Sequence, residues 1–241
     1  MDETWDTIAD WYAEVLHRGS AMNEFARDVL LAALPVDLTG VRVLDLGCGE
    51  GFITRAVAVR GAAVVGIDPT AGLIVHARAA EDAAPTGARY EVDDGSTLST
   101  VADESVDWVT AGLSLNNIPD LEAAVRSIQR VLVPGGGLLF TIPHPCFEAP
   151  HGTWVERTDG TSRRVIGDYL VEGFWRAANP QGVRRAGNQH RMLSRYLTVL
   201  IDQGFMLDMV AEPAADQRVV AEQPRRAGFP PFLLVRARCG G

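Results

Sequence analysis

The chain contains no lysine, and all 22 of its basic residues are arginine. Chemistry that needs a lysine amine, such as a Schiff base, is therefore excluded. The three cysteines, Cys48, Cys146 and Cys239, are too few and too scattered for a disulfide framework or a zinc cluster. The 31 acidic residues give a net charge of −9, which argues against a nucleic-acid partner because such a partner usually needs a basic face.

Long apolar runs are also missing, since none reaches the roughly 18 residues that a membrane span requires. The first residues, Met1–Trp5, lack the basic and apolar regions of a secretory signal, so a cytoplasmic protein without a membrane partner is expected. With 241 residues, 47% of them hydrophobic, the chain has the size of one α/β domain with a modest insertion.

The most informative stretch is residues 41–51, which read VRVLDLGCGEG. An almost wholly apolar run up to Leu46 predicts a strand buried on both faces of a parallel sheet. Glycines at positions 47, 49 and 51 follow, and residues 52–60 predict a helix. A strand, a glycine turn and a helix bring backbone N–H groups to the carboxyl edge of a sheet, where such folds bind ligands.

Three interpretations of this turn compete. It can be a tight turn without a ligand, although three alternating glycines exceed what a turn needs. It can be a dinucleotide site, but Phe52 stands where the Gly-x-Gly-x-x-Gly fingerprint has its third glycine. The third interpretation, which we favour, is a site for S-adenosylmethionine. The run Leu44–Gly51 resembles the first motif of class I S-adenosylmethionine-dependent methyltransferases. Residues 143–147 and 187–191 resemble a subgroup of small-molecule methyltransferases, many of them attached to secondary metabolism.

That resemblance implies a cofactor site around the turn. It places Asp45, Gly47, Cys48 and Gly49 against the methionine end of S-adenosylmethionine. Asp68 ends the second predicted strand, one β-helix-β unit after Asp45, and there a carboxylate can accept both ribose hydroxyls. A helix-capping role for Asp68 before Pro69 is the alternative, and Pro69 is included in the predicted site.

The third and fourth strands add further predicted contacts. In the family, an acid after the third strand contacts adenine, and the residues that match best are Asp94 and Gly95, with Asp93 as the fallback. Without a ligand, Asp-Asp-Gly is an ordinary turn. After the fourth strand, Leu113 is expected at the cofactor and Asn116 at the acceptor. Asn116 and Asn117 occupy a pair at which many relatives carry histidine, so the pair is a poor source of a base.

Residues 5–17 predict an amphipathic helix that resembles the N-terminal cover of small-molecule methyltransferases. Tyr12 is predicted to contact the cofactor, and plain packing is an equal alternative. Residues 143–189 are irregular and predict a lid over an apolar or aromatic acceptor. Its predicted substrate contacts are Phe147, Trp154, Tyr169 and Trp175. The alternative is that these aromatic side chains hold the lid to the domain.

Methyl transfer to an O–H or N–H group can need a base with a pKa near neutrality. His144, after the fifth strand, and His190, at the start of the helix after the lid, are the candidates. A role as a loop anchor is the alternative for each. We expect at least one of the two to face the acceptor. The reaction needs no metal, and none is expected.

Together these motifs predict one methyltransferase domain over residues 1–241. Its parts are a helical cover (1–40), a cofactor-binding core (41–142), a lid insertion (143–189), and a final helix with edge strands (190–241). The expected fold is α/β, a doubly wound, mostly parallel seven-stranded Rossmann-like sheet with N-terminal helices and a lid insertion after strand 5.

The expected activity is transfer of a methyl group from S-adenosylmethionine, leaving S-adenosylhomocysteine, to an O, N or C atom of a small apolar or aromatic metabolite. A non-catalytic S-adenosylmethionine-binding or nucleotide-binding protein is the alternative, and a nicotinamide oxidoreductase is disfavoured by Phe52. The partner is expected to be a small-molecule acceptor, and a homodimer is a further expectation.

Overall fold

A computed structural model describes residues 3–240 of the chain. The strands are β1 (Arg42–Leu46), β2 (Ala63–Asp68), β3 (Arg89–Val92), β4 (Val106–Gly112), β5 (Leu132–Pro143), β6 (Thr153–Glu156), β7 (Ser162–Val165), β8 (Gly173–Trp175), β9 (Asn188–His190), β10 (Phe205–Ala211) and β11 (Phe232–Cys239). The helices are α1 (Trp5–Arg18), α2 (Ala21–Ala32), α3 (Phe52–Ala58), α4 (Ala71–Ala83), α5 (Leu121–Val131), α6 (Leu193–Asp202) and α7 (Gln217–Glu222). No helix of these residues is long and apolar enough to cross a membrane.

Seven strands form one sheet in the order β10-β11-β5-β4-β1-β2-β3. The five strands from β5 to β3 run parallel, while β11 is antiparallel to both β5 and β10. This arrangement confirms the predicted mostly parallel, seven-stranded sheet. Since β1, β2 and β4 are adjacent and parallel, the loops at their carboxyl ends meet at one edge.

Hydrophobic clusters cover both faces of this sheet, as a doubly wound fold requires. Val43 packs into the cluster that holds residues of α2, α3 and α4, whereas the next residue, Leu44, packs into the cluster with α5 and α6. Both side chains are about 1% exposed. The apolar run before the glycine turn is therefore a strand buried on both sides, and the turn is held rigidly at its end.

One element boundary differs from the sequence-based expectations, and two others are set by local contacts. Helix α2 is capped by Ser20, because the Ser20 hydroxyl accepts from the Asn23 N–H. Strand β5 begins at Leu132 and includes the glycines at positions 135–137, with a register shift against β4. The expectation that His190 opens a helix is wrong, since His190 pairs with Gly173 between β8 and β9, and α6 begins at Leu193.

Residues 143–189 lie largely outside the main sheet. They contain the β6–β7 hairpin and β8, which pairs with β9, as two separate two-stranded sheets. The side chain of Arg185 connects this segment to α1, with its guanidinium 3.8 Å from the Trp11 ring centroid and 3.1 Å from Glu3. The insertion thus contacts the N-terminal helix, and its role as a lid stays a prediction.

Candidate active site

The glycine turn after β1 has a backbone that other residues adopt with strain. Gly47, Gly49 and Gly51 have φ angles of +67°, +57° and +84°. A Cβ on Gly47 would lie 2.4 Å from the Cβ of Ser114, and one on Gly51 would lie 2.5 Å from the Tyr90 hydroxyl. A Cβ on Gly49 would meet nothing nearer than Tyr12, at 3.8 Å. The outer two glycines allow close packing of the turn, and the middle one leaves space open.

Asp68 is joined directly to this turn. One carboxylate oxygen accepts from the Gly49 N–H at 3.0 Å, and the other accepts from the Thr70 N–H at 2.9 Å. The side chain is largely buried, and burial raises the pKa of its carboxyl group. Each carboxylate oxygen has further lone pairs, so Asp68 can hold the turn and still accept hydrogen bonds from a ligand.

Asp45 lies beneath the turn and is 1% exposed. Its two oxygens accept from the Thr54 hydroxyl at 2.6 Å and the Thr110 hydroxyl at 2.8 Å. Burial raises the pKa of Asp45 to about 6, and the two hydroxyls only partly oppose this shift. Asp45 therefore links β1 to α3 and β4 beneath the turn.

The raised pKa of Asp45 predicts a pH-dependent stability. A folded-state pKa of about 6, above the usual 3.8, means that the folded protein binds the proton more tightly. The resulting stabilisation is complete below about pH 3.8 and is lost as the pH rises through about 6. When the pH is lowered from 7 to 5, the unfolding free energy of the wild type should rise by about 1 kcal/mol relative to that of Asp45→Asn. Urea titrations of both proteins at each pH measure this, and a constant difference would contradict it.

Asp93 and Asp94 take different roles in the loop after β3. The Asp93 carboxylate accepts hydrogen bonds from Ser99, from the Asp94 N–H and from both the N–H and the hydroxyl of Thr100. Burial raises the pKa of Asp93, but these hydrogen bonds outweigh it and lower the pKa overall. Asp94 is exposed, and one of its oxygens accepts from Ser96. Asp93 shapes the loop, and Asp94 is the freer carboxylate.

This difference between the two residues predicts different effects for two alanine variants, one on affinity and one on stability. Asp94→Ala should weaken the binding of S-adenosylhomocysteine about tenfold, the value of one good hydrogen bond, with little loss of stability. Asp93→Ala should lower the unfolding free energy by about 2–3 kcal/mol, because four partly buried hydrogen bonds to its carboxylate are lost. Calorimetric titration and thermal unfolding separate the two effects. A selective loss of affinity in Asp93→Ala, with stability unchanged, would assign adenine to Asp93 instead.

These residues surround one large cavity at the carboxyl edge of the sheet, which we call the first cavity. Its volume is about 1170 Å³ when the space at its open mouth is included. Tyr12 and Trp5 of α1 form one wall, with their rings 5.3 Å apart. Burial, followed by the charges of Glu50 and Asp68, raises the pKa of the Tyr12 hydroxyl, which stays neutral and donates to Asn23.

All ten predicted cofactor residues line the first cavity, although their individual contacts with a cofactor stay predictions. They are Tyr12, Asp45, Gly47, Cys48, Gly49, Asp68, Pro69, Asp94, Gly95 and Leu113. Sequence reasoning missed Glu50, which also lines the cavity. Its Oε1 atom is buried and has no hydrogen-bond partner among the described residues, and burial raises its pKa. The acid within the glycine turn was the signal that could have identified it.

The charge of the lining discriminates between ligand classes. Five acidic residues belong to the lining of the first cavity, Asp45, Glu50, Asp68, Asp93 and Asp94, and one carboxylate oxygen of Glu50 is paired with Arg55 at 2.8 Å. Among the residues that the structure describes, no arginine or histidine belongs to this lining. An anionic pyrophosphate is poorly matched to such a wall, whereas a cationic sulfonium with an ammonium group is well matched. The unpartnered Glu50 oxygen fits the cationic S-adenosylmethionine for the same reason. The open space over Gly49 leaves room for the ligand.

Neither predicted catalytic histidine lines the first cavity. His144 is 1% exposed, and its Nε2 lies 2.6 Å from Glu212 while its Nδ1 accepts from the Cys146 N–H. Both of its ring nitrogens are thus engaged. His190 lies 2.8 Å from the backbone carbonyl of Tyr169 through Nε2. Because a carbonyl only accepts, Nε2 carries the proton and Nδ1 keeps the lone pair that a base needs. Of the two, His190 is the better candidate.

None of the five predicted substrate residues lines the first cavity. The aromatic ones pack against other side chains: Phe147 and Trp154 contact the Phe229 ring edge-on, at 5.6 and 5.2 Å. The Tyr169 hydroxyl accepts from the Leu193 N–H, and Trp175 lies beneath Arg184. These contacts hold the insertion to the domain, and a role at an acceptor stays a prediction. Asn116 lines a second, smaller cavity together with His190.

Comparison with known proteins agrees with this geometry. Residues 44–140 match the family model described as a methyltransferase domain. A solved S-adenosylmethionine-dependent methyltransferase from Mesorhizobium loti is 31% identical, with 92% of this chain and 99% of that chain covered and a TM-score of 0.75. The [4+2]-cyclase SpnF is 20% identical over 100% of this chain and 97% of that chain, with a TM-score of 0.63, and shows the fold alone.

Among curated proteins, the chain is similar to a ubiquinone biosynthesis O-methyltransferase from Xanthomonas oryzae pv. oryzae. The two are 36% identical over 137 residues, which is 57% of this chain and 54% of that protein. A protein of the same name from Pseudomonas putida is 33% identical over 44% of this chain and 46% of its own length. The chain spans about half the length of the curated relatives it matches.

Proposed function

This chain belongs to the class I S-adenosylmethionine-dependent methyltransferases, and we propose on that premise that it methylates a small metabolite. The solved relative supports this membership along nearly the whole chain, because the match covers 92% of the chain. The proposed acceptor atom is oxygen or nitrogen, with carbon as a third option. The name of the Xanthomonas relative, an O-methyltransferase, favours oxygen.

The observation that carries the proposal is the acid-lined first cavity closed by the glycine turn. The Gly49 N–H is fixed by Asp68, and the lining of this space contains five acidic residues and none of the basic residues that the structure describes. This favours a cationic adenosyl ligand over a dinucleotide. Asp68 would hold the ribose, Asp94 and Gly95 the adenine, and residues 47–50 the methionine end.

When bound, S-adenosylmethionine supplies an electrophilic methyl group. The residues of this chain contribute mainly by holding the two reactants at near-attack distance, which is worth up to about 7–11 kcal/mol. Trp5, Tyr12 and Leu113 narrow the first cavity with apolar surface and help to exclude water. The same apolar surface supports an apolar or aromatic body for the acceptor.

Binding and turnover must be tested separately, since the fold is shared by a protein described as a cyclase. Isothermal titration with S-adenosylmethionine, S-adenosylhomocysteine and NAD is expected to show saturable binding of the first two and none of NAD. Incubation with a methyl-labelled donor and a metabolite extract should then label a small molecule. Tight binding without any labelling would favour the non-catalytic alternative, and binding of NAD alone would overturn the cofactor assignment.

We also propose that the acceptor is not a nucleic acid, because the net charge is −9 and the first cavity is acidic. Incubation of the methyl-labelled donor with total RNA or DNA should leave the polymer unlabelled. A homodimer and a cytoplasmic location stay predictions from the sequence.

A further inference from the structure

The second cavity lies behind the asparagine pair that follows β4. Its volume is about 20 Å³, which is room for one water-sized group, and its wall includes Asn116, Asn188 and His190. Asn117 lines the first cavity and Asn116 lines the second, and their side-chain amides are hydrogen-bonded at 3.1 Å. The two cavities are therefore adjacent, and this amide pair lies between them.

The orientation of the Asn116 amide follows from a chain of hydrogen bonds. The Leu113 carbonyl can only accept, so the atom of Asn117 that lies 3.1 Å from it is the donor Nδ2. The Oδ1 atom of Asn117 then faces Asn116 and receives its Nδ2–H. This leaves Oδ1 of Asn116 buried and without a partner among the described residues. The residue as a whole is 8% exposed.

A second unpartnered atom belongs to the same wall. Nδ2 of Asn188 is a buried donor that has no partner in the described part of the chain, and Asn188 is also 8% exposed. Burying a polar group without a partner costs about 1–3 kcal/mol. Two such groups of opposite hydrogen-bonding character in one cavity indicate a site for a group that both donates and accepts.

The charged groups nearby are already paired, which argues against an anion site. Arg191 donates to the backbone carbonyls of Leu115, Ile118 and Pro119. Arg184 donates to Glu148, whose pKa burial raises but Arg184 and Arg226 lower overall. The polar side chains left for a ligand therefore include the amides of Asn116, Asn188 and Gln189 and the ring of His190.

We propose, resting on the proposed function, that the second cavity binds a hydroxyl or amine group of the methyl acceptor. The O–H or N–H donates to Oδ1 of Asn116, and the lone pair of the same group accepts from Nδ2 of Asn188. His190 lines the same cavity, where its ring is a further polar contact for that group. A molecule whose donor is capped by methyl leaves Oδ1 of Asn116 unpaired and is rejected.

Matched probe pairs test this in the full-length protein saturated with S-adenosylhomocysteine. Phenol is compared with anisole, and aniline with N,N-dimethylaniline, by ligand-observed NMR titration to millimolar concentration. In the wild type, at least one donor-bearing probe should bind about tenfold or more tightly than its capped partner. Asn116→Leu should reduce that ratio to about twofold or less, because the unpaired acceptor is gone. Asn188→Leu, on a different element, should weaken the donor-bearing probe by a similar factor.

The controls are thermal unfolding and S-adenosylhomocysteine affinity. Asn188→Leu should retain the affinity, since Asn188 does not line the first cavity, and Asn116→Leu should retain it to within about tenfold, since it removes only the hydrogen bond to Asn117, which does line that cavity. The inference is overturned if neither donor-bearing probe shows saturable binding, or if wild type does not discriminate within either pair. It is equally overturned if discrimination survives in Asn116→Leu, or if a crystal of the probe complex shows only water in the second cavity. Failure of the wild type to bind S-adenosylhomocysteine contradicts the proposed function instead, and the probe pairs are then compared on the free protein.

Discussion

Replacing Asp68 with alanine is expected to raise the Kd for S-adenosylhomocysteine by about 10²–10⁴-fold. Two hydrogen bonds to a charged carboxylate are worth about 1.5–3 kcal/mol each, and the proposed ribose contact uses two. Isothermal titration measures the change. The exposed acid Asp82 on α4 offers a control, because Asp82→Ala changes the net charge equally and should leave the affinity within about twofold.

The Asp68 side chain also holds the N–H groups of Gly49 and Thr70, so the variant loses part of its loop structure as well. A ligand-side control separates the two effects. The 2′,3′-dideoxyribose analogue of S-adenosylhomocysteine should bind the wild type about 10²–10⁴-fold more weakly than the parent compound. On Asp68→Ala, the two compounds should bind almost equally. If removal of the two ribose hydroxyls weakens binding to Asp68→Ala as much as binding to the wild type, the ribose lies elsewhere.

Gly47→Ala is expected to lose cofactor binding and to lower the unfolding free energy by about 2–5 kcal/mol. The new Cβ would lie 2.4 Å from Cβ of Ser114, and the residue would have to keep a φ of +67°. Moving the turn away from β4 relieves the contact but displaces the N–H groups of residues 48 and 49. Chemical denaturation and calorimetric titration measure the two losses.

Gly40→Ala is the matched control for Gly47→Ala. Gly40 has a φ of +78°, but nothing lies within 4 Å of its added Cβ. Gly40→Ala should lower the unfolding free energy only by the cost of an alanine at positive φ, about 1–2 kcal/mol, and should keep the cofactor affinity. Ser114→Gly, combined with Gly47→Ala, removes the contacting Cβ and should restore part of the stability. Equal losses in Gly47→Ala and Gly40→Ala would mean that the close approach to Ser114 does not matter.

Local patterns in the sequence were enough to bring together the residues that line the first cavity. The apolar run of β1, the alternating glycines and the acid at the end of β2 each lie next to the residues they position. Parallel strands then bring these short segments together at one edge of the sheet. The lining of the first cavity therefore contains all ten predicted residues without any long-range information.

The surroundings of the predicted acceptor residues could not be predicted in the same way. His190 was expected in a helix, but β8 supplies a strand partner for it, and pairing with a strand about 15 residues away leaves no local pattern. The aromatic residues of the insertion were open to two interpretations, since both a pocket wall and a packed cluster consist of aromatic rings. The unpaired oxygen of Asn116 depends on Leu113, Asn117 and their mutual hydrogen bonds, which only coordinates show.

The most direct measurement of the central claim is a crystal structure of the protein with S-adenosylhomocysteine. We expect density in the first cavity, with the ribose on Asp68, the adenine beside Asp94 and Gly95, and the sulfur end against residues 47–49. The account is contradicted if the compound binds outside this cavity, or if side chains of the chain itself fill the space beside Gly49 and leave no room for it.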